Sequence, residues 1–330
     1  MAEMIKTFNI GIVVVGRNEG IRLNDCLKSL PMLPIVYVDS GSTDNSLNIA
    51  QSNSIDSIVL EKPYTAAKAR NEGALYLLNK FPQISAIQFI DGDCILIPGW
   101  LETASAALDN DPNLASTYGN IVEEAPFSTI YNRLLSMEWK DAPGISSHFP
   151  GITTMRASSW EKSGGYNESI IAGEDSEFSL RIRLQGEKIL RLDHDMVYHH
   201  GSITNFWQWW KRSVRSGHAA AERYALHGKG TAKECRREVM SIVLWGGFLP
   251  IAILLLTVFF NKFWLLLSLL YVVLACKVML YRKRKLNDSF QDSCLYAFFC
   301  VLGKIPSFIG ISRFVWNRIR NTQSTIIEYK

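Results

Sequence analysis

The chain has 330 residues, 48% of them hydrophobic, and a formal net charge of +4. Residues 1–200 carry a net charge of −9 and residues 201–330 one of +13. Because the basic half is also the apolar half, this pattern favours a membrane surface, and the absence of an RNA-binding signature or zinc-ligand spacing argues against a nucleic-acid partner. The six cysteines form no C-x-x-C pair, which favours a reduced protein that faces the cytosol.

Strand and helix signals alternate in the first part of the chain. Short apolar runs predict strands at 8–15, 35–39, 57–61 and 86–91, with helices through Leu23 to Leu30, 42–51 and 65–79. Such alternation predicts an α/β fold with a parallel sheet, in which ligands bind at the carboxyl ends of the strands. Asp39 and Asp91 both end a predicted strand.

The pattern is less regular between residues 110 and 200. Segments 115–123 and 151–157 have the composition of strands, and 126–142 that of a helix. Residues 174–186 (EDSEFSLRIRLQG) predict a helix whose first turn is acidic. We therefore assign residues 1–200 to one N-terminal domain.

The C-terminal part indicates a membrane. Residues 203–226 mix aromatic and basic side chains and predict an amphipathic helix at the membrane interface, followed by a basic linker, so that this region covers 201–238. Segments 239–260 and 263–281 are apolar over membrane-spanning lengths and predict a transmembrane hairpin at 239–281 with cytoplasmic basic flanks. The broken apolar stretch 293–311 predicts re-entrant or interfacial helices within 282–330. The protein is thus expected in the inner cell membrane, with its N-terminal domain in the cytoplasm.

The segment QFIDGDC (88–94) sets two acids at the end of a predicted strand. Carboxylates about 5 Å apart repel by roughly 3 kcal/mol at an effective dielectric constant of about 20. A Mg²⁺ or Mn²⁺ ion held by Asp91 and Asp93 would relieve this repulsion and bridge them to a diphosphate. A solvated Asp-Gly turn is the alternative for this short pattern.

Five motifs that follow one another along the chain strengthen the interpretation of Asp91 and Asp93 as a metal site. The segments are VVVGRNEG, VDSGSTDNS, AKARNEGA, FIDGDC and GEDSEF, and together this series resembles the family 2 glycosyltransferases of the GT-A fold over roughly residues 8–200. The resemblance implies a nucleotide-sugar donor, with uridine the favoured base, a Mg²⁺ or Mn²⁺ ion on the diphosphate, and inversion of the anomeric centre.

The resemblance also implies roles for particular residues. Arg17, Asn18 and Glu19 would flank the nucleotide, Asp39 would meet its base with Ser42 and Asp44 nearby, and Lys68 and Arg70 would lie near nucleotide or phosphate. Asp93 would bind the metal, Asp91 the ribose or the metal, and Asp175 would be the catalytic base. One base suffices because the metal stabilises the leaving group, whereas a glycosidase needs two carboxyl groups.

Further candidates flank this core. Glu174 is predicted to bind the acceptor or orient the base, and His200, favoured over His199 in VYHHGS, to approach the metal. Lys211, Arg212 and Arg215 would neutralise a donor or lipid diphosphate, or contact phospholipid headgroups. Their segment reads Q-W-W-K-R where processive relatives have Q-x-x-R-W, so a single sugar addition is favoured over a processive polysaccharide synthase.

The sequence therefore predicts a membrane-bound hexosyltransferase of polysaccharide or glycolipid biosynthesis, which acts on a lipid or lipid-linked saccharide. A nucleotidyltransferase of similar fold is the other alternative, although GRNEG lacks the basic, glycine-rich loop that it needs. The identity of the sugar and the oligomeric state, including a homo-oligomer, stay open.

Overall fold

The computed structural model describes residues 9–201, 203–230 and 232–322. Over these residues the chain forms two compact units. The first unit contains the chain up to Pro126 and Asp141–Gly201, and the second contains Phe127–Lys140 and the chain from Ser202 onward. The chain thus leaves the first unit after residue 126, returns to it at residue 141 and enters the second unit again after residue 201.

A parallel sheet forms the N-terminal half of the first unit. Its elements are β1 (Ile10–Gly16), α1 (Ile21–Ser29), β2 (Ile35–Asp39), α2 (Ser46–Ser52), β3 (Asp56–Val59), α3 (Ala66–Lys80) and β4 (Ala86–Asp91). β1 lies between β2 and β4, and β3 lies at the edge. The side chains of β1 are almost all buried, as expected of a parallel strand that is covered on both faces. The predicted α/β fold is confirmed.

The other half of the sheet is mixed. The next elements are β5 (Cys94–Leu96), α4 (Trp100–Asn110), β6 (Leu114–Glu123), α5 (Ile130–Glu138), β7 (Gly144–Ile145), β8 (Thr153–Arg156), α6 (Ala157–Lys162), α7 (Glu174–Leu184) and β9 (Lys188–His199). β8 runs antiparallel to β4 and β6, while β9 is parallel to β6 and antiparallel to β5 and β7. The parallel arrangement that the first part of the chain predicts thus does not continue through this half, and the apolar pattern of a strand does not encode its direction.

The carboxyl ends of β1, β2 and β4 lie side by side. Gly16 pairs with Asp39, and Val15 pairs with Asp91, so the two acids flank the end of β1. After Asp93 the chain continues into β5, where Cys94 lies opposite His199 on β9. The sheet thereby brings residues that are far apart in sequence to one edge.

The second unit is helical. Besides α5 it contains α8 (Phe206–His227), α9 (Arg236–Ile242), α10 (Leu249–Phe259), α11 (Leu269–Lys285), α12 (Phe290–Leu302) and α13 (Lys304–Ile319), with a π-helical segment Val243–Phe248 and a 3₁₀ segment Lys262–Ser268. Three continuous helical stretches are long and apolar enough to cross a membrane, namely Arg236–Phe259, Lys262–Lys285 and Phe290–Ile319. The first two coincide with the predicted hairpin at 239–281.

Helix α5 belongs to this second unit although its sequence lies within the predicted N-terminal domain. Leu134, Leu135 and Met137 pack with Trp209 of α8 and Phe299 of α12 in one buried cluster. The first unit thus differs from the predicted domain 1–200 by this one helix. The apolar side chains of α5 carried no sign of which partner they would meet.

Candidate active site

The loops after β1 and β2 hold each other in place. The N–H of Asn18 donates to the hydroxyl of Ser42 over 2.9 Å, and the Asn18 side-chain oxygen accepts from the N–H of Thr43 over 2.7 Å. The hydroxyl of Ser46 accepts from the N–H of Glu19 over 3.2 Å. Three of the residues predicted to bind nucleotide, Asn18, Glu19 and Ser42, therefore lie together at the sheet edge.

Asp39 and Asp44 shape the loop after β2. Asp39 is completely buried, and its Oδ2 accepts from the N–H groups of Gly41 and Ser42 at 3.0 and 2.8 Å. Its Oδ1 accepts from the hydroxyl of Tyr37 at 2.9 Å. Burial and the Asp39 carboxylate raise the pKa of Tyr37. Asp44 accepts from the N–H and hydroxyl of Ser46 at 3.0 and 2.6 Å. A contact of Asp39 with the base of the nucleotide stays a prediction.

The remaining basic candidates of this region are separated. The Arg17 guanidinium lies 5.6 Å from the centre of the Tyr64 ring, and the Lys68 ammonium donates to the carbonyl of Glu61 over 2.7 Å. Arg70, two residues after Lys68, is instead buried and faces carboxylates. Lys68 and Arg70 thus have different surroundings, and their proximity to nucleotide or phosphate stays a prediction.

Arg70 connects the end of β4 to the start of α7. Its Nη2 donates to Asp91 Oδ1 over 3.0 Å, and its Nη1 donates to Glu174 Oε1 over 2.8 Å. Burial alone would lower the pKa of the guanidinium, but Asp91 and Glu174 raise it above its ordinary value. Gly151 makes room for this arrangement, since a Cβ there would overlap the Arg70 guanidinium. Arg70 is therefore a buried cation that is paired with two acids.

Asp93 faces a different partner. Its Oδ2 lies 3.8 Å from Nε2 of His199, and its carboxylate is buried. The Nδ1 of the same imidazole lies 2.6 Å from Oε1 of Glu123, at the end of β6. Potential ligand atoms of Asp93, Cys94 and His199 lie within 4.8 Å of one another. The sheet thus creates a compact group of metal-ligating side chains next to Asp91.

The favoured histidine of the sequence prediction lies elsewhere. Nδ1 of His200 is 2.9 Å from the Glu124 carboxylate, and both side chains are exposed. Successive residues of a strand point to opposite faces, so only one of two adjacent histidines can face Asp93. The side chain of His199 faces Asp93, and the side chain of His200 does not.

Asp175 lies in the first turn of α7, directly after Glu174. Its Oδ1 accepts from the N–H of Ser176 over 2.7 Å, and its charge adds to those that raise the pKa of Arg70. Glu174 is buried and bound to Arg70, whereas Asp175 is half-buried. The two acids of this motif therefore have different environments.

The basic residues predicted on α8 belong to the second unit. Lys211, Arg212 and Arg215 lie on one helix, and Arg212 pairs with Glu138 of α5 over 2.7 Å. Their contact with a diphosphate stays a prediction.

Sequence reasoning missed Glu123 and Gly151. Glu123 and His199 end β6 and β9, which pair in parallel register with these two residues opposite each other. The doubled pairs Glu123-Glu124 and His199-His200 were visible in the sequence, but the register that joins them was not. Gly151 had no signal, because its close approach to Arg70 depends on the folded chain.

Comparison with known proteins gives a family match over part of the chain and a similar fold. Residues 12–164 match the model of glycosyl transferase family 2. Among solved structures, the mannosyltransferase PcManGT from Pyrobaculum calidifontis in complex with GDP-Man and Mn²⁺ is similar with a TM-score of 0.59, at 14% identity over 94% of this chain and 88% of that chain.

Two structures of S. aureus TarS are also similar. TarS 1-349 has a TM-score of 0.48 at 16% identity, over 94% of this chain and 92% of that chain. For the longer TarS chain the values are 0.45 and 15%, over 74% of this chain, and the match spans only about half (49%) of that protein. No curated protein sequence is a significant match.

The sheet order, the acids at its strand ends and the likeness to PcManGT define a GT-A fold. The family match runs from β1 to the end of α6 and so contains Asp39, Arg70, Asp91 and Asp93. Over residues 12–164 the chain thus resembles glycosyl transferase family 2.

Proposed function

We propose that this protein is a metal-dependent, inverting glycosyltransferase that moves a sugar from a nucleotide-sugar to a lipid or lipid-linked saccharide at the cytoplasmic face of a membrane. One observation carries the proposal. Asp93 and His199 face each other across 3.8 Å at the carboxyl edge of the sheet, while Arg70 links the adjacent Asp91 to the residue before Asp175.

The donor set supports a divalent cation at this edge. Asp93 supplies a carboxylate and His199 an imidazole nitrogen, within 4.8 Å of each other. Carboxylates suit Mg²⁺ and Mn²⁺, and the imidazole moves the preference towards Mn²⁺, the ion in the PcManGT complex. When bound, the cation would stabilise the charge of the departing nucleoside diphosphate. Asp91, which Arg70 already neutralises, keeps 39% of its side chain exposed and can still accept a ribose hydroxyl.

Asp175 is the proposed catalytic base. The reaction requires one carboxylate to take the proton from the acceptor hydroxyl. Glu174 is engaged with Arg70 at 2.8 Å, which leaves Asp175 as the acid of this pair that can reach an acceptor. Attack from the face opposite the diphosphate inverts the anomeric carbon.

The composition of the second unit is the basis for proposing a lipid or lipid-linked acceptor. Its three apolar helical stretches have the length and composition of membrane spans. Helix α8 carries Lys211, Arg212 and Arg215 together with an exposed Trp207, a composition typical of a helix at the membrane interface. An enzyme anchored in this way diffuses in the same membrane plane as a lipid-linked acceptor.

Two variants test the proposal in detergent-solubilised full-length protein. Nucleotide binding is measured by thermal shift with UDP and GDP plus Mn²⁺, and transfer is measured by donor turnover with membrane lipid extract. Asp93→Ala should lose the Mn²⁺-dependent stabilisation, whereas Asp175→Asn should keep it and lose at least about 100-fold in turnover. Asp56→Asn, an exposed acid on β3, is the control and should change neither.

The two variants separate the parts of the proposal. Normal turnover by Asp175→Asn would remove the proposed base. If no nucleoside diphosphate stabilises the wild-type protein in the presence of Mn²⁺ or Mg²⁺, the donor site itself is refuted.

A further inference from the structure

We propose that Glu123 is a positioning residue that holds His199 with its Nε2 lone pair towards Asp93 and thereby sets the affinity of the site for a divalent cation. This inference rests on the proposed metal site. It adds a side chain that contacts neither the cation nor the sugar.

Both oxygens of Glu123 are engaged by donors. Oε1 lies 2.6 Å from Nδ1 of His199, and Oε2 accepts from the N–H of Gly201 over 3.0 Å. The carboxylate is buried at the end of β6, directly opposite His199 in the parallel pairing with β9. The backbone of two strands therefore fixes the distance between the carboxylate and the imidazole.

This contact selects one tautomer of the imidazole. An ionised carboxylate can only accept hydrogen bonds, so Nδ1 must carry the proton that lies between it and Glu123. In the neutral imidazole, which is the form that binds metals, Nε2 is then an acceptor, and it is the nitrogen that lies 3.8 Å from Asp93. Histidines that ligate metals commonly donate their other N–H to a carboxylate, which orients the ring and makes it more basic.

A glutamine at position 123 cannot reproduce these contacts. If its oxygen accepts from His199 Nδ1, its NH₂ group meets the N–H of Gly201, and two donors oppose each other. If the amide is turned, its NH₂ group faces Nδ1, and the imidazole must carry its proton on Nε2, towards the cation. Either arrangement weakens a cation site built on His199.

The residue pair directly after these two strands supplies a matched control. Glu124 and His200 form the same carboxylate–imidazole contact at 2.9 Å, one residue further along, but their side chains are 37% and 44% exposed. Glu124→Gln therefore changes the same chemical group without altering the imidazole beside Asp93.

The test measures Mn²⁺ binding to the detergent-solubilised full-length protein without nucleotide or acceptor, by electron paramagnetic resonance of the free ion. Glu123→Gln should raise the Kd for Mn²⁺ by about 10- to 100-fold, and Glu124→Gln should leave it unchanged. In a His199→Ala background, Glu123→Gln should add nothing, because the effect passes through His199. Thermal unfolding without metal checks that each variant folds. If Glu123→Gln does not fold, Glu123→Asp replaces it, because the aspartate side chain is too short to make both contacts.

The outcomes separate this inference from the function on which it rests. A wild-type protein that does not bind Mn²⁺ refutes the proposed metal site and the inference together. Wild-type affinity in a folded Glu123→Gln or Glu123→Asp variant refutes the inference alone. The same holds for a Glu123→Gln effect that persists in the His199→Ala background.

Discussion

Asp91 and Asp93 are separated by one residue, yet their carboxylates face different partners. Asp91 is paired with Arg70, and Asp93 lies beside His199. The Arg70 guanidinium compensates the charge of Asp91, which reduces the repulsion that the sequence predicts for adjacent carboxylates. Arg70 also binds Glu174, so one guanidinium compensates acids from β4 and α7.

Removing this guanidinium should destabilise the first unit. Arg70→Met would leave the nearly buried Glu174 without a countercharge, at a loss of about 3 kcal/mol, the lower end for a broken buried pair because Asp91 stays partly exposed. Thermal or denaturant unfolding of the solubilised protein measures the change. Lys68→Met removes a half-buried cation two residues earlier on α3 and breaks only a contact to a carbonyl, so it should have little effect. Equal stability of the two variants would contradict the buried role of Arg70.

At the scale of elements, α8 and α13 pack through glycines. A Cβ at Gly217 would overlap the backbone carbonyl of Ser307, and one at Gly310 would overlap that of Val214. The hydroxyl of Ser307 also donates to the carbonyl of Ser213 over 3.2 Å. Backbones this close can approach only where side chains are absent on the facing surface.

Gly217→Ala should therefore lower stability although alanine is the better helix former. Forcing the two helices apart costs about 1–3 kcal/mol, as for other overpacked contacts. Gly230→Ala is the control, since the nearest atom to a Cβ there is a carbonyl oxygen at 3.6 Å. A rise in the melting temperature of Gly217→Ala would show that the helices are not in close contact.

The same helix pair predicts a dependence of stability on pH. Burial, with Arg313 nearby, lowers the pKa of His218 on α8 to about 4, and the Glu222 carboxylate 3.8 Å away does not reverse this. Because the unfolded chain binds the proton more tightly, the stability is complete above about pH 6.5 and is lost as the pH falls towards 4. The free energy of unfolding should fall by about 2 kcal/mol between pH 7 and 5. His218→Gln should abolish this component, and an unchanged pH profile in that variant would contradict it.

The sequence predicted those features that depend on local pattern. The strands before Asp39 and Asp91, the acidic start of α7 and the apolar lengths of the membrane hairpin all follow from composition over a few residues. The reversed direction of β8, the choice of His199 over His200 and the transfer of α5 to the second unit depend on register and packing partners. These are set only when distant segments meet, so residue types alone could not determine them.

At the scale of the whole molecule, the packing of α13 bears on membrane topology. α13 packs along α8 from Ser307 to Phe314, where the Phe314 ring lies 5.3 Å from that of His218. α8 carries five charged side chains: Lys211, Arg212, Arg215, Glu222 and Arg223. Placing five charges in a bilayer core is costly, so we do not expect α8 to span, and a helix packed along it lies at a similar depth. Although Phe290–Ile319 is long enough to span, we therefore expect α13 to lie at the cytoplasmic interface.

This expectation gives a topology with two spans and the end of α13 in the cytoplasm. In a cysteine-free variant, a cysteine at Asn261, between the two predicted spans, should react with a membrane-impermeant maleimide added to intact cells. A cysteine at Arg320 should react only after the membrane is opened, because the remaining basic residues Arg313 and Arg318 keep this end on the cytoplasmic side. Labelling of the Arg320 position from outside would mean that the stretch Phe290–Ile319 spans the membrane. It would also mean that α8 and α13 do not pack as described.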